Sequence, residues 1–366
     1  MHRTDSYTST TTSWAGSLTT RQQRTRYVGI DVGLDRVSVA SMGWAPRRRS
    51  DTSVGPTLRW FTQSSFPIPI DPSSGPCPDW VDVVANTLRD QLPRCVEDSP
   101  VVATLSLPST WVHYQTTGVG EIAATQSQCD AMFDASIFRS PAHLVHWPVV
   151  QGGDTHQVAA TPISAAMAIA KAVADVGYEV ESILPPGAAL LHASTMTAIK
   201  ISSILTLDPV GGLISAVNED ARQTMGSVLC GLCRPLPACE LESGSSLHVG
   251  QLESWLVSVA AEYAATCRYA GRMGDPCDAS LPVLICGQLA AVEGVDRLLA
   301  SLIERPVAVW RYAGRIRPGM GSEEIDRRNA NGNFTRQQWD ADTTEALSVS
   351  LAFCSVGLAS DKNGGK

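Results

Sequence analysis

Apolar strands that end in an aspartate followed by a glycine occur twice along the chain. The first is YVGIDVG (27–33), in which an apolar strand reaches Asp31 before a second apolar run begins at 37–42. The second is ISSILTLD, which ends at Asp208 and leads through PVGG into the apolar run 213–218. The two acids lie 177 residues apart, close to half of the chain, so the pattern predicts an internal duplication.

Strands and helices alternate along the rest of the chain. Apolar positions at helical spacing predict helices over 79–92, 249–272 and 344–358. The segment VAATPISAAMAIAKAVADVGYEVESIL (158–184) predicts a strand, a long helix and another strand. In LPVLICGQLAAVEG a strand passes through Gly287 directly into a helix, a turn at which a ligand can approach a helix N-terminus. The alternation is typical of an α/β protein.

The predicted elements divide into two lobes, each with an insertion. The first twenty residues contain eleven Ser or Thr, a composition that cannot bury a core, so residues 1–24 are predicted to be a disordered tail. The boundaries that follow are 25–112 with 156–200 for the first lobe, 113–155 for its α+β insertion, 201–240 with 280–366 for the second lobe, and 241–279 for a subdomain of the second lobe.

Composition narrows the classes of function. Hydrophobic residues make up 44% of the chain and charged residues 17%, so a sizeable core can be buried. The net charge of −8 argues against a general nucleic-acid binder, for which a basic face is expected. The most apolar run, AAMAIAKAVADVG (165–177), contains Lys171 and Asp175 and is too short to span a bilayer. No signal peptide is recognisable.

The ten cysteines are scattered, and several lie in apolar segments, as is typical of reduced, buried side chains. The one cluster is CGLCRPLPAC (230–239), with His248 nearby. A zinc site commonly takes four ligands from two knuckles, and the chain has no second CxxC. We therefore predict no metal site here, with a zinc-binding module as an alternative that metal analysis would test.

The first strand–Asp–Gly hairpin has two interpretations. Asp31 is either an ordinary turn acid or the carboxylate of a phosphate-binding hairpin, in which it holds a hydrated metal. In the second case Gly33 lets backbone N–H groups approach an anion. One hairpin cannot separate these two interpretations. The order in which the first hairpin, the second hairpin and the strand–Gly–helix turn follow one another along the chain is informative about the fold.

In this order the chain resembles the actin-like ATPase superfold, and within it the PilM family of type IV pilus assembly proteins, with FtsA more distant. The resemblance extends over nearly all of 26–360 and is carried by YVGIDVG, VVATLSLPST, DASIFRSPAHLVHWPVV and VAATPISAAMAIAKAVADVGYEVESIL. The insertion 113–155 falls where these families carry a 1C subdomain, and the polar end SDKNGGK differs from the membrane-binding helix of FtsA. The resemblance implies an α/β, two-lobed actin-like fold of duplicated RNase-H-like domains, 1A and 2A, with a small α+β 1C-type insertion and a 2B subdomain.

The resemblance also implies ATP and Mg²⁺ between the lobes, with phosphates against the two hairpins and adenosine against the third turn. Nearby positions depart from the family: a hydroxyl- and lysine-containing run is replaced by Leu34, Asp35 and Arg36, and Pro209 removes an N–H beside the second hairpin. We therefore expect a degraded nucleotide site, with hydrolysis weak or absent and no catalytic residue or metal ligand assigned. The cofactor-binding positions implied are Asp31, Gly33, Asp208, Gly211, Gly212, Glu262, Gly287 and Gly294.

The partner that the resemblance implies is the cytoplasmic N-terminal peptide of a PilN-like inner-membrane protein, bound between 1A and 1C. A strand-rich insertion beside a sheet can accept an extended peptide by edge pairing. The chain is then expected in the cytoplasm at the inner face of the inner membrane, membrane-associated only through this partner, with self-association left open. The groove residues implied are Trp111, His113, Leu144, His146 and Trp147, for each of which core packing of the insertion is the alternative role.

A small-molecule kinase or active ATPase of the same superfold is the alternative from another class. Such enzymes need intact phosphate hairpins, and a kinase needs a catalytic aspartate at the cleft. The departures in the hairpins count against this alternative. A thermal shift with ATP and Mg²⁺ separates the two, because a bound nucleotide stabilises the folded state.

Overall fold

A computed structural model describes most of the elements that the sequence predicts. The described residues are 25–44, 56–67, 76–95, 100–118, 142–148, 155–194, 200–217, 228–233, 248–272, 279–311, 317–318 and 343–364. The predicted tail 1–24, residues 119–141 of the predicted insertion and residues 319–342 lie outside them. None of the helices in this described part of the chain is long and apolar enough to cross a membrane.

Fourteen strands and six α-helices are found in the described residues. The strands are β1 Arg26–Val32, β2 Arg36–Trp44, β3 Pro56–Ser65, β4 Val101–Ser106, β5 His113–Gly118, β6 Ala142–Pro148, β7 Thr155–Pro162, β8 Glu179–Ile183, β9 Ser203–Asp208, β10 Gly211–Val217, β11 Val228–Cys233, β12 Val283–Cys286, β13 Val307–Val309 and β14 Arg317–Pro318. The α-helices are α1 Pro78–Gln91, α2 Ile163–Asp175, α3 Pro186–Ser194, α4 Glu253–Arg272, α5 Val295–Ile303 and α6 Ala346–Gly364.

The two large sheets share one topology. The first has the order β14-β3-β2-β1-β4-β8 and the second the order β11-β10-β9-β12-β13. In each, the first three strands along the chain are antiparallel neighbours, and two later strands add in parallel on the other side of the first. The first sheet has one more strand, β14, which pairs in parallel with β3 at the opposite edge. This repeat confirms the predicted duplication and places the two strand–Asp–Gly hairpins at equivalent positions of the two lobes.

Hydrophobic periodicity explains why the helices cover the sheets as they do. Helix α1 buries Trp80, Val84, Ala85 and Leu88, which recur at helical spacing, while its other positions stay accessible. It packs beside α2 on the first sheet, and the two helices close one core with β1 and β4. Helices α4 and α5 close the corresponding core of the second lobe.

Helices α3 and α6 lie between the two sheets and share a core with both. This core joins Ala40 and Met42 of β2 to Ile204 and Leu284 of the second sheet through residues of α3 and α6. Helix α6 packs on β1, β2 and β4 as well as on α3. The predicted division assigned 280–366 to the second lobe, whereas in the structure α6 contacts the first sheet and β14 pairs with β3.

Strands β5 and β6 of the inserted segment pair with β7 in a three-stranded antiparallel sheet with the order β5-β7-β6, so this sheet extends past the predicted end of the insertion at 155. Strand β7 leads directly into α2 of the first lobe. The insertion is therefore tied to the first lobe at both of its ends, by the short segment between β4 and β5 and by the β7–α2 junction. The end of β7 and the end of β8 line one groove, so the small sheet lies near β8, one of the two outer strands of the first sheet in the described residues.

Candidate functional site

The two hairpin turns face each other across a cleft between the lobes. The cleft has a volume of about 50 Å³, far below the roughly 300–1,000 Å³ of ordinary ligand pockets. Its lining brings together five of the eight predicted cofactor-binding residues, namely Asp31, Gly33, Asp208, Gly211 and Gly212. The two hairpins therefore line one cleft, as the sequence predicts, but the cleft is small.

Asp31 lies near the end of β1, next to β4 in the sheet. The hydroxyl of Ser106 on β4 donates a hydrogen bond to Asp31 Oδ1 at 3.0 Å, because β1 and β4 pair in parallel with these two residues in register. Burial is the largest cause that raises the pKa of Asp31, the carboxylates of Asp208 and Asp35 raise it too, and Arg36 and the Ser106 hydroxyl lower it; the net pKa is about 6. The carboxylate is therefore held at a free-energy cost near neutral pH.

This cost predicts that Asp31→Asn stabilises the protein. The folded-state pKa of about 6 lies above the ordinary 3.8, so the contribution of Asp31 to stability is complete below about pH 4 and is lost as the pH rises through 6. We expect the variant to unfold with a free energy about 2–3 kcal/mol higher at pH 8, a gain that shrinks towards pH 4. Urea denaturation across this pH range measures it, with Asp82→Asn on the exposed face of α1 as the control.

A stability difference between Asp31→Asn and the parent chain that did not change with pH would contradict this account. The amide can still accept the Ser106 hydrogen bond, so the comparison isolates the charge.

Arg36 is the residue of the cleft to which sequence reasoning gave no function. Its Nη2 lies 2.6 Å from Asp208 Oδ1 of the second hairpin, and its Nη1 lies 3.4 Å from Asp35 Oδ1. The side chain is 5% exposed. Burial lowers the pKa of Arg36, but the carboxylates of Asp208, Asp35 and Asp31 more than offset it, so the pKa is raised and the guanidinium stays charged.

The predicted strand–Gly–helix turn contributes to the same network, but the structure follows Gly287 with a single 3₁₀ turn, Leu289–Ala291, and the α-helix begins only at Val295. Gly287 has φ +96°, and a Cβ atom there would lie 2.5 Å from the carbonyl oxygen of Leu207, so only glycine lets this turn approach β9 so closely. The next backbone N–H, of Gln288, donates to Asp208 Oδ1 at 3.0 Å. Asp208 thus connects the second hairpin to both the first hairpin and the third turn.

The backbone of the first hairpin is engaged within the protein. The Gly33 N–H donates to the carbonyl oxygen of Arg36 at 2.8 Å, and Leu34 is buried. The indole N–H of Trp80 donates to the Leu34 carbonyl oxygen at 3.1 Å. These contacts fix the turn against α1, so Leu34 anchors the hairpin where the family pattern has a hydroxyl.

The remaining predicted cofactor-binding residues lie away from the lining of the cleft. Gly287 is absent from the lining, but it lies beside Leu207 and Asp208. Glu262 is on α4, where its carbonyl oxygen accepts a hydrogen bond from Thr266. Gly294 precedes α5 with φ +90° and faces Val249. These three positions stay predictions as nucleotide contacts.

The predicted partner residues fall in two places. Trp111 is 2% exposed and packs edge-on against Trp80, with 4.5 Å between ring centroids. The backbones of His113 on β5 and Leu144 on β6 both pair with Ala160 of β7, whereas His146 and Trp147 lie further along β6, and these four side chains are outside the described residues. A partner role stays a prediction for all five.

A small apolar groove lies where the inserted sheet meets the first lobe. Its lining comprises Leu107, Val112, Ala159, Ala160, Thr161, Ile183, Leu184 and Pro185. Thr161 is 5% exposed, and its hydroxyl has no hydrogen-bond partner among the described residues. The oxygen has less than 1 Å² of accessible surface, so an incoming chain would have to displace a neighbouring group to reach it. Because such a group is costly to leave unpaired, a chain that reached it would gain one hydrogen bond in an apolar setting.

Metal-binding chemistry has little support in the described part of the chain. No group of three or more His, Cys, Asp or Glu residues there could hold a metal ion. Cys233 closes β11 and His248 begins the segment before α4, while Cys239 lies outside the described residues. Five described cysteines are free thiols, and burial raises the pKa of Cys286 and Cys354 to about 12.

Comparison with solved structures identifies the fold. A chain from the "PilM-PilN type IV pilus biogenesis complex" superposes with a TM-score of 0.63 at 12% identity, covering 91% of this chain and 99% of that one. The ethanolamine utilization protein EutJ from Carboxydothermus hydrogenoformans (10% identity, 89% of each chain, TM-score 0.45) and the cytoplasmic domain of EpsL from Vibrio cholerae (9%, 85% and 98%, TM-score 0.37) are more remote. No protein-family model and no curated protein matches the chain. The predicted two-lobed, actin-like and PilM-like fold is confirmed.

Proposed function

We propose that this chain is a cytoplasmic scaffold of a type IV pilus or a related secretion machine, and that it binds the N-terminal peptide of a PilN-like inner-membrane protein. The observation that carries the proposal is the agreement with PilM over 91% of this chain and 99% of that one, the latter taken from a complex with PilN. Membrane association then comes through the partner, at the inner face of the inner membrane.

The groove beside the inserted sheet supports this function physically. It is flanked by β7 and by the segment that ends β8, one of the two outer strands of the first sheet in the described residues. An extended peptide binds such a place by pairing its backbone with a strand edge and placing alternate side chains in apolar pockets. We expect the Thr161 hydroxyl, which has no hydrogen-bond partner among the described residues, to bond to the peptide backbone once the peptide displaces the groups that cover it.

Thr161→Val separates partner binding from stability. The change keeps the shape of the side chain and removes the unpaired hydroxyl, so we expect the free protein to become more stable by about 1 kcal/mol. Loss of one buried hydrogen bond should weaken peptide binding by about two- to tenfold. Fluorescence anisotropy of a labelled N-terminal peptide from the organism's PilN-like protein gives the affinity, and urea denaturation gives the stability.

The matched control is Met167→Ala on the exposed face of α2, which is 62% exposed and outside the groove. It should change neither quantity. An unchanged affinity in Thr161→Val would move the binding site away from this groove, and a wild-type chain that fails to bind the peptide would overturn the proposed function.

Trp147→Ala tests the same site from β6. Aromatic anchors dominate many peptide interfaces, so we expect the variant to lose at least about tenfold in affinity for the same peptide. Circular dichroism must first show that the variant is folded. A folded variant with wild-type affinity would exclude Trp147 as an anchor. The role of the groove at Thr161 would then depend on the result for Thr161→Val alone.

A kinase or active ATPase is the second candidate, and no feature of the cleft favours it. A nucleotide-using enzyme needs free donors and a metal at the phosphates, since these stabilise the transferred phosphoryl group. We expect purified protein to release no phosphate from MgATP, and millimolar MgATP to leave the melting temperature unchanged. Turnover that disappears in Asp31→Ala would establish the enzyme instead.

A further inference from the structure

The residues of the cleft do not fit a magnesium nucleotide. In the arrangement described, the carboxylate of Asp208 already binds a guanidinium and a backbone N–H, and the N–H of Gly33 is bound to Arg36 O. We propose that Arg36 is a built-in cation that takes the place of the metal between the hairpins, joins the two lobes and keeps the cleft closed without nucleotide.

The ion pair crosses from one lobe to the other. Arg36 begins β2 in the first sheet and Asp208 ends β9 in the second, 172 positions later in the chain. The Nη2–Oδ1 distance of 2.6 Å is that of a strong charge-assisted hydrogen bond. The two side chains are only 5% and 16% exposed, so water screens the attraction weakly.

Asp35 holds the guanidinium in this position. It lies next to Arg36 in the chain, and its Oδ1 is 3.4 Å from Nη1, so the arginine lies between one carboxylate of its own hairpin and one of the opposite hairpin. This is the arrangement in which a divalent cation would connect the hairpins. A metal entering here would meet the fixed positive charge of Arg36.

Asp208 extends the connection to the third turn. Through its Oδ1 it accepts both the Arg36 hydrogen bond and the Gln288 N–H. All three segments that face a nucleotide in this fold are therefore joined to one another by one carboxylate and one guanidinium. The small volume of the cleft, about 50 Å³, is the consequence.

A double-mutant cycle tests the connection. Arg36→Met and Asp208→Asn each leave a partly buried charge without its main partner, so each should lower the urea midpoint clearly. The double variant Arg36→Met/Asp208→Asn should recover at least half of the summed loss, because neither member of the Arg36–Asp208 pair is left without the other, and Asp35 loses its partner equally in Arg36→Met and in the double variant. Arg36→Lys keeps the charge but cannot reach both carboxylates, and should lie between wild type and Arg36→Met.

Arg89 and Asp175 form the control pair. They join α1 and α2 at 3.1 Å with side chains 39% and 42% exposed, so their single and double variants should leave the midpoint nearly unchanged. Additive losses in the Arg36–Asp208 cycle would overturn the proposal.

Closure is measured separately, by hydrogen exchange and small-angle X-ray scattering. Wild-type protein should give the same radius of gyration with and without MgATP, whereas the double variant should show a larger radius and faster exchange in the β1–β2 and β9–β10 turns. A wild-type radius that shrinks with MgATP, or a double variant as closed and protected as wild type, would overturn the proposal. The outcome does not depend on whether a PilN-like peptide binds.

Discussion

Replacing Gly29 by alanine is expected to abolish stable folding, with a loss of about 4 kcal/mol or more in the free energy of unfolding. Gly29 lies in the middle of β1, where α6 crosses the strand. A Cβ atom at this position would overlap the backbone of α6 at Ser348 and Ala352. Because the obstacle is helix backbone rather than a movable side-chain end, the helix must leave the sheet.

The effect can be measured by urea denaturation or, if the variant is insoluble, by the fraction recovered in the soluble extract. Gly250→Ala is the matched control, because a Cβ atom at Gly250 would meet nothing within 4 Å. Wild-type stability in Gly29→Ala would show that α6 does not pack on β1 as described. Gly33→Ala should fall between the two, since its nearest contact would be 3.3 Å from Arg36 O.

The fold could be predicted from local patterns because its key features are local. The hairpins at Asp31 and Asp208 show as an apolar run, an acid and a glycine within a few residues, and the repeat of this pattern reveals two lobes. The helix over 78–91 has its apolar residues at regular helical spacing. The strand–helix–strand unit ends within a few residues of its predicted limits.

The position of α6 could not be predicted in the same way. The sequence marks an apolar helix near the end of the chain, and chain order assigns it to the second lobe. In the structure α6 packs on β1, more than 300 positions earlier, where Gly29 leaves room for it. A glycine inside an apolar strand is the available signal, since it often marks the close approach of another backbone.

The role of Arg36 escaped prediction for a related reason. Comparison with the family pattern identifies Arg36 only as a departure from hydroxyl and lysine positions. Its function depends on a carboxylate 172 positions away, and no local pattern reports that distance. The signal that was available is an arginine at the start of an otherwise apolar strand, next to an acid, in a chain whose two hairpins each present another acid.

The aromatic cluster under the first hairpin gives the second large effect. Trp111 contacts Trp80 with ring centroids 4.5 Å apart, and Trp80 contacts Phe66 at 5.8 Å, both edge-on. Trp80 also holds the turn through its hydrogen bond to Leu34 O. The cluster therefore connects the first hairpin to α1 and to the segment that leads into the inserted sheet.

Trp111→Ala is expected to lower the free energy of unfolding by about 3–5 kcal/mol, because it removes a fully buried ring from this cluster. Trp111→Phe keeps an aromatic ring against Trp80 and should cost less, about 1–2 kcal/mol. Urea denaturation gives both free energies of unfolding. Fluorescence anisotropy of the labelled peptide, measured where each variant is folded, gives the affinity.

If Trp111 acts by packing, Trp111→Phe keeps wild-type affinity for the peptide while losing stability. If instead Trp111→Ala kept full stability and lost the peptide, the ring would leave the core on binding and act as the anchor that the family resemblance implies.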